Sequence, residues 1–231
     1  MAEAFGAAAA LIAGGDAAFL SIVGLSLTVT LTAVIAASLL GLPLGALLAL
    51  ARFPGRSAVI VIVNGLMGLP PVVAGLLVFL LLSRSGPLGA LGLLFSPTAM
   101  VIAQTVLVLP IIVAITRQLT EDLYGEYREH LTSVGLAGTR AIPTLLWDGR
   151  FALTTAVLAG FGRASAEVGA VLIVGGNIAG YTRTMTTSIA LETSKGDLPL
   201  ALGLGIVLIL LTLLINAFTY GASRFGARFA G

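Results

Sequence analysis

The sequence predicts an all-α polytopic membrane protein, a transmembrane helical bundle of about five spans, and two observations carry that prediction. Of 231 residues, 58% are hydrophobic and only 10% charged, against about 25% charged in an average soluble domain, and the mean hydropathy is +1.11. The apolar residues are gathered in five stretches, at 20–50, 57–82, 96–116, 151–176 and 198–220, each near or above the roughly 20 residues that cross a bilayer. The lipid bilayer is therefore the chain's first partner. A net charge of +2 and a pI near 9.4 do not argue for nucleic acid, because the basic residues are scattered and no aromatic-basic patch accompanies them. No nucleic-acid partner is expected. The chain has no cysteine, which excludes disulfides and thiolate metal sites and leaves the compartment open on redox grounds.

Taken in order, residues 1–19 read as an extracytoplasmic N-terminal segment. Glu3 and Asp16 surround a short apolar run, 7–13, and no basic region precedes it, unlike a cleaved signal peptide. The remainder, 20–231, reads as one transmembrane domain. The first span, 20–50, is long enough to tilt or bend, and Pro43 within Gly41-Leu-Pro-Leu-Gly45 marks a kink, since proline removes a backbone donor and crowds the preceding turn. The second carries Gly65, Gly68, Pro70 and Pro71, which predict a broken helix. In lipid such a break survives only where neighbouring helices or a water-lined cavity satisfy the freed carbonyls, so this span belongs inside the bundle.

After the third span comes a polar interruption, residues 117–150. It holds Arg117, Glu121, Asp122, Glu126, Arg128, Glu129, His130, Arg140, Asp148 and Arg150. A segment of this size cannot bury a core of its own, and it is too polar for lipid. Its predicted use is to be gripped by another protein. Within it, 127–137 is compatible with a short helix bounded upstream by Gly125 and downstream by Gly138, a good residue for ending one. Farther on, Tyr181, Arg183, Glu192 and Lys195 make 177–196 too polar for a sixth span.

Orientation follows from the distribution of Lys and Arg in the connections. One set of faces holds Arg52, Arg56, Arg117, Arg128, Arg140, Arg150, Arg224 and Arg228, and the other only Arg84, Arg183 and Lys195. That asymmetry predicts 117–150 in the cytoplasm, the N-terminus outside and the C-terminus inside. No internal repeat or inverted pair of broken helices is evident, as a secondary transporter would often show. No Gly-x4-Gly-Lys-Ser/Thr phosphate loop occurs, so ATP hydrolysis by the usual route is excluded for this chain. No nucleophile, base and orienting group occur together, and His130, the lone histidine, has no metal-ligating neighbours. Catalysis and a metal site are not expected.

Within the polar interruption, Glu129-His130-Leu131-Thr132-Ser133-Val134-Gly135 resembles the coupling motif of the membrane subunits of ABC importers. That motif begins Glu-Ala-Ala, reaches Gly four residues after the second Ala, and ends in Leu-Pro. Here His130 and Leu131 replace the alanines, and Trp147-Asp148 stands at the Leu-Pro position. A second stretch is more specific: Gly160-Phe-Gly-Arg163-Ala-Ser-Ala-Glu167-Val-Gly169-Ala, then Gly175-Gly-Asn177-Ile-Ala-Gly180-Tyr-Thr-Arg183-Thr-Met-Thr186-Thr187, then Leu191-Glu-Thr-Ser-Lys-Gly-Asp197. It resembles oxyanion-importing permeases, with Gly65-x-x-Gly-Leu-Pro-Pro71 as a further shared element. The Glu-x-Gly-Ala and Gly-Asn portions are similar in molybdate permeases; the Tyr-Thr-Arg and Glu-Thr-Ser-Lys-Gly-Asp portions favour the tungstate type.

The resemblance extends from about Leu20 onward and implies the permease subunit of an ATP-driven importer of tungstate, or of molybdate, in the cytoplasmic (inner) membrane of a prokaryote. It implies a homodimer, separate ABC ATPase subunits that bind ATP and Mg, and an extracytoplasmic oxyanion-binding protein. No cofactor is expected in this chain itself. Glu129, His130, Leu131, Gly135 and Gly138 are the implied ATPase-coupling residues. A permease for another solute, such as sulfate or an amino acid, is the nearest alternative. A self-sufficient secondary transporter would need ion-coordinating groups in several spans, and an intramembrane enzyme would need a catalytic cluster; both are lacking.

Candidate pore or gate residues are Arg163, Glu167, Gly169, Gly175, Gly176 and Asn177. Arg163 and Glu167 fall inside the fourth span, where charge is expensive and faces protein or a cavity. Their i, i+4 spacing places them on one helix face. They form either a neutralising pair that locks the helix to its neighbours, a positive station for a crossing anion, or part of a solvated vestibule. Gly160, Gly162, Gly169, Gly175 and Gly176 permit close helix approach, as packing alone or as a sliding gate. Residues 177–197 are either a solvated loop or a re-entrant surface that receives the ion, where Arg183 and the hydroxyls of Thr182, Thr186 and Thr187 suit an oxyanion.

Overall fold

A computed structural model of the chain describes residues 13–228 without a gap, with Gly6, Ala9 and Ala10 before them, and side chains as far as Gly221. Nine residues of the predicted N-terminal segment, 1–5, 7, 8, 11 and 12, lie outside the described residues, among them much of its apolar run. Every regular element among them is helical: α1 (Ala17–Leu50), α2 (Arg56–Met67), α3 (Pro71–Leu82), α4 (Pro97–Ser133), α5 (Ile142–Asp148), α6 (Arg150–Ser165), α7 (Gly169–Gly175), α8 (Met185–Lys195) and α9 (Leu198–Arg228). The described residues are all-α, as the sequence predicts. Three helices, α1, α4 and α9, are long and apolar enough to cross a membrane; α2 with α3 and α6 with α7 form two bent pairs, which bring the spans to five if each pair is one.

Some local expectations hold and others are corrected. Pro43 lies inside α1, which continues through it. The second span breaks where Gly68, Leu69 and Pro70 separate two 12-residue helices, Pro71 opening α3 as its first residue, a position where the missing proline N–H is no loss. The helix of the third span continues past 116, and 127–137 is not a separate helix: α4 runs on to Ser133 through Gly125. Charged residues sustain that extension through the i, i+4 pair Arg117–Glu121, 2.5 Å apart. The fourth span, read as one helix over 151–176, breaks at Ala166, Glu167 and Val168. Residues 177–197 are more than a loop, because 11 of them form α8, too short to cross a bilayer.

The chain folds as two compact units. The first comprises the chain up to Ala33, Pro70–Gln104 and Gly162–Ile215. One of its cores joins α1, α8 and α9 through Phe19, Met185 and Leu204, flanked by Ile22, Ile189, Leu200 and Leu208. Its other feature is the close packing of α3 on α7. A Cβ placed on Gly75 would stand 2.7 Å from the Ala170 Cα, and one on Gly169 would stand 3.1 Å from a methyl of Val72. Beside this contact Phe79 meets Phe95 edge-on, their centroids 6.2 Å apart.

Because the obstacle at Gly75 is backbone and Ala170 is fully buried, the pair cannot yield by rotating a side chain. Gly75→Val is expected to destabilise the protein by about 1 to 3 kcal/mol through overpacking, read as a lowered melting midpoint in detergent. Gly162→Ala, which meets nothing within 4 Å, should leave the midpoint where it is or raise it.

The second unit comprises Val34–Leu69, Thr105–Phe161 and the chain from Asn216. Here α1 and α4 approach through Gly41 and Gly45, where an added Cβ would fall 2.8 Å from Ile112 and 2.7 Å from the Val113 carbonyl oxygen, and Gly160 of α6 sits equally close to Val108. In a membrane, where dispersion between matched surfaces drives association, these glycines hold the helices together. Arg56 ties the end of α1 to α4: it donates to the carbonyls of Leu48 and Ala49 and pairs with Glu121, which also accepts from Arg117.

Candidate functional site

The residues singled out in the sequence fall into two groups, one in each unit. In the second unit, α4 carries Glu129 and His130 on its final turns, both exposed, and Leu131 beside them, 4% exposed. At 37 residues and 1.5 Å per residue, α4 is about 55 Å long, more than the roughly 30 Å of a hydrocarbon core. Its polar end therefore projects beyond the membrane as a rigid continuation of the span.

The helix stops at Gly135 for a specific reason. Gly135 has φ +80°, its N–H donates to Thr132 O at 3.1 Å, and Leu136 N–H donates to Leu131 O at 2.7 Å. These are the two bonds of a Schellman end, with the left-handed glycine one residue past the cap. The apolar contact that accompanies such ends is also present, since Leu136 packs against the cluster of Leu131, Ala141 and Leu145 with Leu123 and Tyr124. Gly135, predicted as part of a coupling motif, thus has a local structural role. Gly138 does not end a helix; it opens the 3-10 turn Gly138–Ala141, and its N–H donates to the Tyr124 hydroxyl at 3.0 Å.

Beyond the turn, α5 presents Trp147, 69% exposed, with the Arg150 guanidinium 4.7 Å from its ring centre. Among the described residues the Glu129 and His130 side chains form no hydrogen bond or ion pair, and an exposed tryptophan is a strong anchor for a partner. Trp147 and Val134 are the residues of this surface that the sequence reading did not single out; a large aromatic in a polar stretch was the available signal.

In the first unit, the break between α6 and α7 organises the second group. Glu167 lies in the break rather than within a helix, and its side chain is 2% exposed. One carboxylate oxygen accepts the Ala170 N–H at 2.9 Å, capping the start of α7. The other stands 3.7 Å from the Arg163 guanidinium, whose side chain keeps 29% of its exposure. The Arg163–Glu167 pair predicted on one helix face exists, but as a loose ion pair across the end of α6. Gln104 of α4, unnoticed in the sequence, supports the break: buried at 3% exposure, it donates at 3.1 Å to the Ala164 carbonyl, which also accepts the Glu167 N–H at 3.2 Å.

The loop after α7 turns through two successive left-handed residues, Gly176 at φ +70° and Asn177 at φ +50°. Thr182 holds this turn closed, donating to Gly175 O at 2.6 Å and accepting from Ile178 N–H at 2.9 Å. Thr184 then caps α8 reciprocally with Thr187, Met185 N–H donates to Ser26 of α1 at 2.7 Å, and Thr186 donates to the Glu167 carbonyl at 2.8 Å. Of the hydroxyls predicted to suit an oxyanion, Thr182 and Thr187 are 1% exposed, and all three are committed to backbone or capping partners. Arg183 differs. Its guanidinium makes one long bond to Asn177 O at 3.4 Å, and its Nε has no partner, nor has the Asn177 side-chain oxygen. The structure therefore brings Glu167, Thr186 and α8 together and leaves Arg163 and Arg183, close to them in sequence, with donor capacity to spare.

The glycines of this region divide by function. Gly169 and Gly175 are close-approach sites, the latter with Met100 sulfur 2.9 Å from an added Cβ, while Gly176 is needed for its turn. Among the described residues no group of three or more His, Cys, Asp or Glu is placed to hold a metal.

No protein-family model matches the chain. Whole-sequence comparison does find relatives. The "Probable anion ABC transporter permease protein" of Haloferax volcanii is 40% identical over 214 residues, covering 90% of this chain and 89% of the relative. The tungstate uptake system permease protein TupB of Peptoclostridium acidaminophilum is 39% identical over 220 residues, covering 95% of this chain and 96% of the relative. The TupB of Campylobacter jejuni is 39% identical over 163 residues, 71% of this chain and 68% of that one.

Proposed function

We infer the function from one premise: the chain belongs to the permease subunits of ABC transporters. We propose that it forms the translocation pathway of an ATP-driven importer of tungstate, with molybdate as the second candidate, as a homodimer in the cytoplasmic membrane, with the N-terminus outside and the C-terminus inside. The observation that carries the solute is the similarity to two permeases named for tungstate uptake, near full length for one and over about 70% of this chain for the other.

In this reading the power comes from a separate ATPase subunit, which holds ATP and Mg, and the ion arrives on an extracytoplasmic binding protein. The end of α4 and the turn after it, from Glu129 through Gly138, are the part the ATPase grips. Because α4 is one helix from Pro97 to Ser133, a displacement at its exposed end is carried into the bundle as rigid-body motion. Arg56 and Glu121 brace that lever against α1.

Arg183, in a connection that the Lys and Arg asymmetry of the sequence puts outside and with donor capacity unspent, is proposed to meet the incoming oxyanion, which takes up N–H donors in charge-assisted bonds. Arg163 is proposed chiefly as the partner of Glu167, since a strong fixed anion site within a pore would retain the ion. Isotope uptake in cells carrying the cognate receptor tests the solute. Competition by tungstate at the lowest concentration, then molybdate, with sulfate ineffective, is expected. Sulfate or amino acids competing as strongly would sink the assignment.

A further inference from the structure

We propose that the second unit carries a built site for one anionic phospholipid, its headgroup phosphate held by Arg52 and Arg128 and an acyl chain lying in the apolar groove formed by α1, α2 and α4. The inference rests on the membrane reading of the helices alone and is independent of which solute is carried.

Two cavities of the same unit carry it. The first, about 770 Å³, is lined by the end of α1 and the following residues, Ala49 to Arg52 and Arg56, and by Tyr124, Arg128 and Thr132 of α4 with Gly138 and Thr139. Its charged lining is three arginines and no carboxylate. Arg56 is spent on Glu121 and on the carbonyls of Leu48 and Ala49. Arg52 and Arg128 make no ion pair among the described residues, and both are exposed. Tyr124, Arg128 and Thr132 recur every four residues, so they share one face of α4.

The second cavity, about 500 Å³, is an open groove whose lining is almost wholly apolar: Leu44, Leu47 and Leu48 of α1, Val59 and Val63 of α2, and Val106, Pro110 and Val113 of α4 among others. The two cavities use the same three helices, offset along their length. Leu48 ends the groove where Ala49 begins the basic cavity, and Phe53 stands next to Arg52. Both volumes fall in the range of small-molecule sites, about 300 to 1,000 Å³. An apolar groove alone would fit another helix equally well; the two uncompensated cations at its end favour a ligand with one anionic end and long apolar tails. Basic pockets at the ends of transmembrane helices are where anionic lipid headgroups bind. A polyanionic protein surface would match the arginines but leave the groove unused.

The test is native mass spectrometry of the purified permease, with any subunits that accompany it, titrated with dioleoyl phosphatidylglycerol or dioleoyl phosphatidylcholine. One phosphatidylglycerol should bind in preference to phosphatidylcholine. Arg52→Gln with Arg128→Gln should weaken that binding about 30-fold, at about fivefold for each arginine near an anionic surface, without changing phosphatidylcholine binding. Val106→Trp, which fills the groove and leaves both arginines, should also lower phosphatidylglycerol binding, and inorganic phosphate should not displace the lipid. A melting midpoint within a degree of wild type establishes that each variant is folded; should the glutamine variant fail this, Val106→Trp carries the test, and unchanged phosphatidylglycerol binding in it would overturn the proposal. Equal phosphatidylglycerol binding by wild type and the folded glutamine variant would overturn the proposal. So would displacement by phosphate, which indicates a free-anion site, or loss of a co-purifying subunit with lipid binding intact, which indicates a protein contact.

Discussion

Replacing Gly135 by valine is expected to leave ATP hydrolysis by the assembled transporter running while uptake falls at least about tenfold. The glycine sits at φ +80° with open space around it, so an added side chain meets no steric wall. What the substitution disturbs is the backbone. A left-handed conformation costs an L-residue roughly 1 to 2 kcal/mol, and a β-branched one most of all. The Schellman end therefore opens, Leu136 leaves Leu131, and the 3-10 turn that positions α5 shifts with it. The bundle itself is untouched, so loss of uptake with hydrolysis retained reports on the junction with the motor. Glu129→Lys tests the same junction by charge, because Glu129 is exposed and has no ion pair among the described residues. Gly125→Ala is the control: mid-helix and exposed, it should stabilise by up to about 1 kcal/mol with coupling unchanged. Unaltered uptake by both Gly135→Val and Glu129→Lys would count against the coupling role of this segment.

Glu167→Ala is expected to have the second large effect, a loss of about 2 to 3 kcal/mol of stability. The change removes a charge-assisted bond to the Ala170 N–H, a class worth roughly 1.5 to 3 kcal/mol, and leaves that donor buried at the start of α7. Glu167→Gln separates the roles of the carboxylate. Its amide oxygen still accepts from Ala170, so most of the stability should return, whereas the Arg163 partnership loses its charge. If the pair is structural, Arg163→Gln combined with Glu167→Gln should transport nearly normally from a somewhat less stable assembly. Melting midpoints and uptake measured on the same preparations decide it: full stability with transport abolished in Glu167→Gln would assign the charge to the pathway instead.

The fold class was legible because hydropathy and segment length answer to one solvent, the bilayer. The break in the second span was legible too, since Gly68 and Pro70 interrupt a helix wherever it lies. Less was legible where polar residues do structural work. Residues 117–133 belong to the polar interruption that composition sets apart from the third span, because charge stops lipid insertion, yet charge does not stop a helix. Leu123, Tyr124 and Leu131 keep one apolar face that the cluster around Leu145 buries, and Arg117 and Glu121 pair along the side. That spacing was visible and was outweighed by composition. The break at Glu167 left little trace, because a carboxylate capping a buried helix start looks the same in sequence as one inside a helix. For α8 the trace was clearer: Thr184 and Thr187 at capping-box spacing and Gly196 at the other end, φ +85°. Of these, only Thr187 is among the hydroxyls that suit an oxyanion in the sequence, and in the structure it bonds to Thr184.

The most direct test of the account is flux in proteoliposomes containing the purified chain with and without its ATPase, receptor, ATP and Mg. Tungstate should accumulate only when all are present, and the chain alone should pass none above the protein-free background. Solute flux through the chain alone, sustained without nucleotide or partner, would contradict the claim that it is a pathway driven from outside itself.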